Sequence, residues 1–350
     1  MDRRDLTTAK RRDAEGGRWR TLAAVVSVAI VVAIATLTAA EPRRESQPPR
    51  RRAKAAHSST RPPCGNPFAV QVLLDRQGFS PGQIDGTMNA NTGRAVASFQ
   101  AARQLSPTGR VNCETWRALG GDAADPVAIA YEVSPKDASG PFTLDPSVAL
   151  EEQAKLPALE YRSTVERLAE RFHVAPALLR AKNRGGRFTV GDRILVPAVT
   201  PFDATAKPAK DATINDVTIL VSREASTLRA TRPDGTLVFF APVSSGSVHD
   251  PLPPGDWTVT GVSWRPVFHY DPDLFWNASP TSQYATIKAG PNNPVGVVWI
   301  SLNLEHYGLH GTPEPGRIGT SESHGCVRLT NWDAAKVASL VRPGTPVVFR

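Results

Sequence analysis

The chain has 350 residues, 31 of them proline, and a formal charge of +8 at neutral pH. It is too long for one simple core and long enough for two or three small domains. The positive excess suits an anionic membrane or polymer as well as nucleic acid. Zinc-finger spacing, a basic helix and a phosphate-binding glycine loop are all missing, which argues against a nucleic-acid partner. Residues 1–20 are rich in Arg and Lys and read as a cytoplasmic N-terminus. Residues 21–40, TLAAVVSVAIVVAIATLTAA, hold no charge, and their length matches the roughly 20 residues that cross a bilayer as a helix. A signal peptide is the competing reading, with Thr38 and Ala40 as a small-residue cleavage site before Glu41. Both readings export everything after residue 40. Residues 41–63, rich in Arg, Pro and Ser, cannot bury a core and read as a disordered linker.

Folded sequence begins near Cys64. NPFAVQVLLDRQGF places Phe68, Val72 and Leu73 at helical spacing, with Phe79 beyond the turn. SPGQIDG is a loop. NANTGRAVASFQAARQL is a second helix, with Asn91 as its cap and Ala95, Val96 and Phe99 on one face. NCETWRAL is a short third helix. The pattern of Gln71, Leu73, Leu74, Gly78, Phe79, Gly82, Asp85-Gly86, Thr92, Ala95 and Phe99-Gln100 resembles the three-helix peptidoglycan-binding domain, and residues 64–120 are assigned to it. These same residues also suffice to build a small helical core.

Residues 127–200 change texture. PVAIAYEV reads as a strand and STVERLAERFHVAPALLRAKN as two short helices, with Ser163 and Glu166 forming a capping box. A turn and strand follow in FTVGDRILVPA. Helix, helix, Asn183 and then VGDRILVP resemble a LysM domain, although RSTV stands where that family opens with Gly-Asp-Thr. A structural spacer is the alternative reading.

From residue 214 to 350 short β-branched and aromatic segments (VTILV, TLRAT, LVFFAPVS, DWTVTGVS, QYATIKAG, GVVWISL) alternate with turn residues, as in a β sandwich or barrel. NWDAAKVASLV is the clear helix here, capped by Asn331, and PVVFR is a final strand. The chain as a whole is therefore multidomain α+β. In this stretch LHGTPEPGRIGTSESHGCVRL brings His310, His324 and Cys326 close together in sequence. Three readings fit them. One is a metal site, although a fourth ligand is not evident. Another is a buried structural thiol. The third is a Cys–His nucleophile, with His310 or His324 as base and Arg328 adding positive charge.

HGT, a turn-rich insert, then SHGCVRL and a helix resemble the L,D-transpeptidase catalytic domain, as do GPNNPVGVVWISL and YGLHGT upstream. The resemblance implies that Cys326 is the nucleophile, attacking the amide between the third residue of a peptidoglycan stem and its terminal D-alanine. A thioester forms, D-alanine leaves, and an acceptor amine completes a crosslink. It further implies that His310 is general base and acid, held by a backbone carbonyl such as that of Gly311. The N–H groups around His324, Gly325 and Cys326 are the oxyanion-hole candidates. Ser323 and His324 belong to site architecture. Arg328 either orients the site, meets a substrate carboxylate or forms a structural salt bridge. No cofactor and no metal are required. The implied partners are peptidoglycan stems and glycan, with the inner membrane reached through residues 21–40 and the catalytic domain in the periplasm. The alternatives are an L,D-carboxypeptidase or stem hydrolase on the same site, and a non-catalytic wall anchor.

Two cysteines remain, Cys64 and Cys113, at the start and end of the helical module. A module of roughly fifty residues has a marginal core, and exported chains keep disulfides. A bridge between the two would close it. Two unrelated buried thiols are the alternative.

Overall fold

The protein is described from a computed structural model covering residues 64–143, 149–212, 216–321, 323 and 325–350. The N-terminus, the apolar stretch 21–40 and the linker 41–63 lie outside the described residues. Among those described, no helix is long and apolar enough to cross a membrane.

Asparagine side chains start all three helices of the first module. Asn66 accepts the Ala69 N–H (2.9 Å) at the head of α1 (Pro67–Arg76), where Pro67 occupies a first-turn position that needs no N–H partner. α2 (Ala90–Ala102) is capped by Asn89 rather than Asn91. Asn89 is extended (φ −75°, ψ 177°) and its Oδ1 accepts the Thr92 N–H, the geometry a cap requires. Asn91 already lies in the first turn and donates instead to the Ile318 carbonyl at 2.8 Å. α3 (Cys113–Ala118) is capped by Asn112. Leu73, Leu74, Phe79, Val96, Phe99 and Trp116 form the core. The buried amides of Gln71 and Gln100 are consumed by this architecture. Gln71 bonds Asp85, Thr87, Thr92 and the Gly86 N–H, while Gln100 bonds Arg110, Thr115 and the Gly109 N–H. Cys64 and Cys113 are disulfide-bonded, with Cα atoms 5.0 Å apart across 49 residues.

In the next segment β1 (Ala128–Glu132) leads into α4 (Pro135–Ala138), α5 (Leu150–Gln153), α6 (Thr164–Arg171), α7 (Pro176–Lys182) and β2 (Arg193–Pro197). β1 and β2 pair antiparallel, from Ala128 opposite Pro197 to Glu132 opposite Arg193. Only half of the capping box forms. Ser163 accepts the Glu166 N–H, but the Glu166 carboxylate turns to the N–H of Arg162, one residue before the cap. Leu168, Phe172, Val174 and Leu179 share one core with Phe68, Val72 and Ile84 of the first module.

The remaining described residues build a nine-stranded mixed sheet, a separate two-stranded hairpin and one α-helix. The strands of the sheet are β3 (Thr218–Ser222), β4 (Thr227–Thr231), β5 (Leu237–Pro242), β6 (Ser244–Ser245), β7 (Gly255–Trp264), β10 (Val298–Leu302), β11 (Gly308–His310), β12 (Val327–Arg328) and β13 (Pro346–Phe349). Between β7 and β10, β8 (Phe268–Tyr270) and β9 (Ala285–Ile287) form a separate hairpin. The order across the sheet is β5-β4-β3-β13-β7-β10-β11-β12-β6. β7 is the spine: Gly255–Thr258 pair with β13 and Val259–Trp264 with β10. The two ends of this order, β5 and β6, are separated in sequence by Val243 alone, so the sheet curls back toward itself as a barrel does. Ile219, Val221, Ile300, Val347 and Phe349 share one buried core with Ala334, Val337 and Leu340 of α8 (Asn331–Leu340). Each such large side chain contributes about 1.5–3 kcal/mol on full burial. Thr330, not Asn331, caps α8, accepting the Asp333 N–H at 3.1 Å. Phe240 of β5 enters the helical-module core, and its N–H and C=O bond Gly78 and Ser80.

Candidate active site

β11 and β12 run parallel, with His310 directly opposite Arg328 and Leu309 opposite Val327. A parallel pair needs a crossover, and residues 311–326 supply it, placing Cys326 immediately before β12. The loop is pinned on several sides. Asn91 holds the Ile318 carbonyl, and Ser244 accepts the Gly319 N–H at 3.0 Å. Ser323 is buried and acts as a clamp: its Oγ accepts the Gly246 N–H (2.6 Å) and donates to the Cys326 carbonyl (2.6 Å). Its own N–H donates to the Gly246 carbonyl.

Gly325 has φ +94°, and a Cβ there would lie 2.7 Å from a ring carbon of Tyr307. Glycine therefore suits both the left-handed backbone and the close approach of the ring. Cys326 is half-buried, and its thiol points to the His306 carbonyl at 3.5 Å. Burial pushes the thiol up to about 11, while the Gly308 backbone N–H and the Arg328 guanidinium pull it down.

His310 is buried. Its Nδ1 lies 2.7 Å from the Gly311 carbonyl. Nδ1 therefore carries the proton and donates, which leaves Nε2 as the basic nitrogen. Trp299, its cross-strand neighbour on β10, stacks on the imidazole with ring centroids 5.5 Å apart and planes 20° from parallel. Burial first and the Arg328 charge second bring the imidazole down to about 3, against the opposing pull of the Gly311 carbonyl. The resting pair is consequently a thiol and a neutral imidazole. Arg328 acts on both partners, favouring the thiolate and disfavouring the imidazolium.

Cys326, His310, Arg328, Tyr307 and Trp299 line one cavity of about 770 Å³, together with Phe268 and Phe275 of the β8–β9 segment. Among the described residues no group of three or more His, Cys, Asp or Glu is placed to hold a metal. His324 lies outside the described residues, as does its contribution to an oxyanion hole.

Model matching assigns residues 216–349 to the YkuD L,D-transpeptidase catalytic domain and residues 66–119 to a peptidoglycan binding domain. YkuD of Bacillus licheniformis, whose name assigns it to the L,D-transpeptidases, is 30% identical over 187 residues, covering 53% of this chain and 92% of that protein. The chain belongs to the L,D-transpeptidase family. YkuD of Bacillus subtilis is 42% identical over 73 residues, which is 20% of this chain and 44% of that protein. YbiS of Escherichia coli is 32% identical over 124 residues, 33% of this chain and 39% of that protein. The solved L,D-transpeptidase of Mycobacterium smegmatis aligns at 22% identity with a TM-score of 0.32, over 39% of this chain and 58% of that one. That likeness is too slight to bear on the fold.

Three residues of this L,D-transpeptidase site escape sequence reasoning. Trp299 and Tyr307 are walls of the cavity. Asn331 lies beneath it. Its Nδ2 donates to the Pro291 carbonyl and its Oδ1 accepts the Val297 N–H, while Gly311 leaves room for that oxygen. The alternation of β10 held a signal for Trp299. Val298, Ile300 and Leu302 point to the core, so an aromatic at 299 faces the other side, next to His310.

Proposed function

We propose that the chain is an exported L,D-transpeptidase that crosslinks peptidoglycan stems through a thioester on Cys326. The observation that carries this reading is the Gly311-anchored His310 sharing one cavity with Cys326 and Arg328. Cys326 Sγ attacks the carbonyl of the third stem residue as His310 Nε2 takes the thiol proton. The N–H groups of Gly325 and Cys326 stabilise the developing oxyanion. His310 then returns the proton to the departing amine, and D-alanine leaves. An acceptor amine attacks the thioester, gives its proton to His310, and forms the new amide as the thiol is restored. Because the resting thiol is protonated, the nucleophile forms by proton transfer to His310. Arg328 favours that step by stabilising the anion.

The Cys64–Cys113 bond supports an oxidising, extracytoplasmic compartment. Residues 21–40 would then be the anchor or the signal peptide, and the catalytic domain would work in the envelope. The β1–β2 pair around α6 and α7 supports the LysM-like reading of 127–200. Purified disaccharide-tetrapeptide tests the function. Mass spectrometry should find free D-alanine and a dimer lacking one D-alanine. Tripeptide without dimer would mean that water is the acceptor, and unchanged tetrapeptide would contradict the proposal.

A further inference from the structure

Beyond the apolar wall of the catalytic cavity lies a second cleft of about 650 Å³, and Leu150 and Phe275 line both spaces. The second cleft has a different chemistry. Asn277, Ser279, Thr281 and Ser282 line it along the segment joining β8 to β9, with the Ser279 and Thr281 hydroxyls 2.9 Å apart and bonded to each other. Glu151 of α5 forms the opposite side, and its carboxylate accepts the Gln283 N–H. Two large aromatic rings flank this segment and face solvent, Trp276 with 55% and Tyr284 with 69% of its surface exposed. Trp276 is backed by His249 at 4.1 Å, beside Asp250 of the catalytic cavity, and the Tyr284 hydroxyl donates to Asp273.

We infer that this cleft, with Trp276 and Tyr284, binds the hexosamine of the glycan strand that carries the reacting stem. The inference rests on the transpeptidase reading above. Two residues separate the reacting third residue from the lactyl-bearing sugar, roughly 7 Å of extended chain. The sugar of a donor held at Cys326 therefore stays within a short reach of the thiol, and the shared wall of Leu150 and Phe275 sets the second cleft beside the cavity that holds the stem. A hexosamine has an apolar C–H face and a rim of hydroxyl and acetamido groups. The rings suit the face, and the hydroxyl and amide side chains suit the rim. Asp271 and Asp273 beside the rings disfavour an anionic lipid surface as the occupant.

The test uses the full chain and two readouts. In the first, kcat/KM is measured on disaccharide-tetrapeptide and on the same tetrapeptide without sugar, for the parent and for Trp276→Ala/Tyr284→Ala. The ratio of the two donors should fall about tenfold in the variant, the effect of withdrawing roughly 60 Å² of apolar contact from water. An equal loss on both donors, or no change in their ratio, overturns the sugar site. In the second, the Trp276 indole N–H signal of ¹⁵N-tryptophan-labelled protein is assigned by its loss in Trp276→Phe. It should shift when stem-free glycan tetrasaccharide is added. A signal that stays put, or that moves only with anionic vesicles, overturns the inference. If neither donor turns over, the transpeptidase reading fails, and the indole signal still decides the sugar site by itself.

Discussion

His310 offers a linkage test whose size follows from its surroundings. Burial behind Trp299 and the nearby Arg328 charge move its imidazole from 6.5 to about 3 in the native state. A folded value below the unfolded one means that the unfolded chain takes up the proton first. Stability is therefore untouched above pH 6.5 and is lost as pH falls from 6.5 toward 3. The full loss is about 5 kcal/mol at about 1.4 kcal/mol per pH unit, and about 3 kcal/mol of it is already gone at pH 4.5. His310→Gln keeps a side-chain N–H for the Gly311 carbonyl and removes the titration. Asp333, buried at the first turn of α8 and pushed up to about 7 by burial, works in the opposite sense, losing stability as pH rises toward 7. It does so in both proteins, so subtracting one curve from the other cancels it. Urea unfolding of residues 41–350 at pH 7.5, 6.0 and 4.5 measures the difference. His310→Gln should gain on the parent by about 3 kcal/mol between pH 7.5 and 4.5. A difference that is flat across that range would refute a buried, neutral His310.

Three more outcomes follow from the same geometry. Ser323→Ala strands the Gly246 N–H and the Cys326 carbonyl, so denaturation should show a loss of about 2–4 kcal/mol. Acylation should slow with it, because the loop carrying Cys326 is no longer clamped; unchanged stability would remove Ser323 from this role. Arg328→Gln removes the cation that lowers both Cys326 and His310, so the acid limb of the acylation rate should move to higher pH. An unshifted profile would place the Arg328 charge elsewhere. Cys64→Ser/Cys113→Ser should cost the helical module about 4 kcal/mol, the chain-entropy value for a loop of this length. Reductant should destabilise the parent equally and leave the variant unmoved.

The strands of the catalytic region were legible because burial alternates along them, as at Ile219 and Val221. The start of α6 at Ser163 was read correctly, while α2 and α8 were read two residues and one residue late. Asn89 and Asn91, like Thr330 and Asn331, are all good capping types, and only backbone angle and side-chain reach choose between them. Asn331 was drawn away by tertiary partners that sit 34 and 40 residues earlier. Closure of the sheet was not legible in detail, since β13 pairs with β3 across more than a hundred residues. Local spacing carries no record of such a pairing. The Gly311 carbonyl as partner of His310 was legible only through the family resemblance, although the contact spans adjacent residues. Trp299 was not, because its contact with His310 exists only once β10 and β11 are in register.

The central claim is that Cys326 carries the acyl group. Residues 41–350 incubated with disaccharide-tetrapeptide, quenched in acid and digested, should yield one peptide heavier by the donor less D-alanine, mapping to Cys326. Cys326→Ala should give neither that peptide nor free D-alanine. An adduct on another residue, or D-alanine release that persists in Cys326→Ala, would contradict the account.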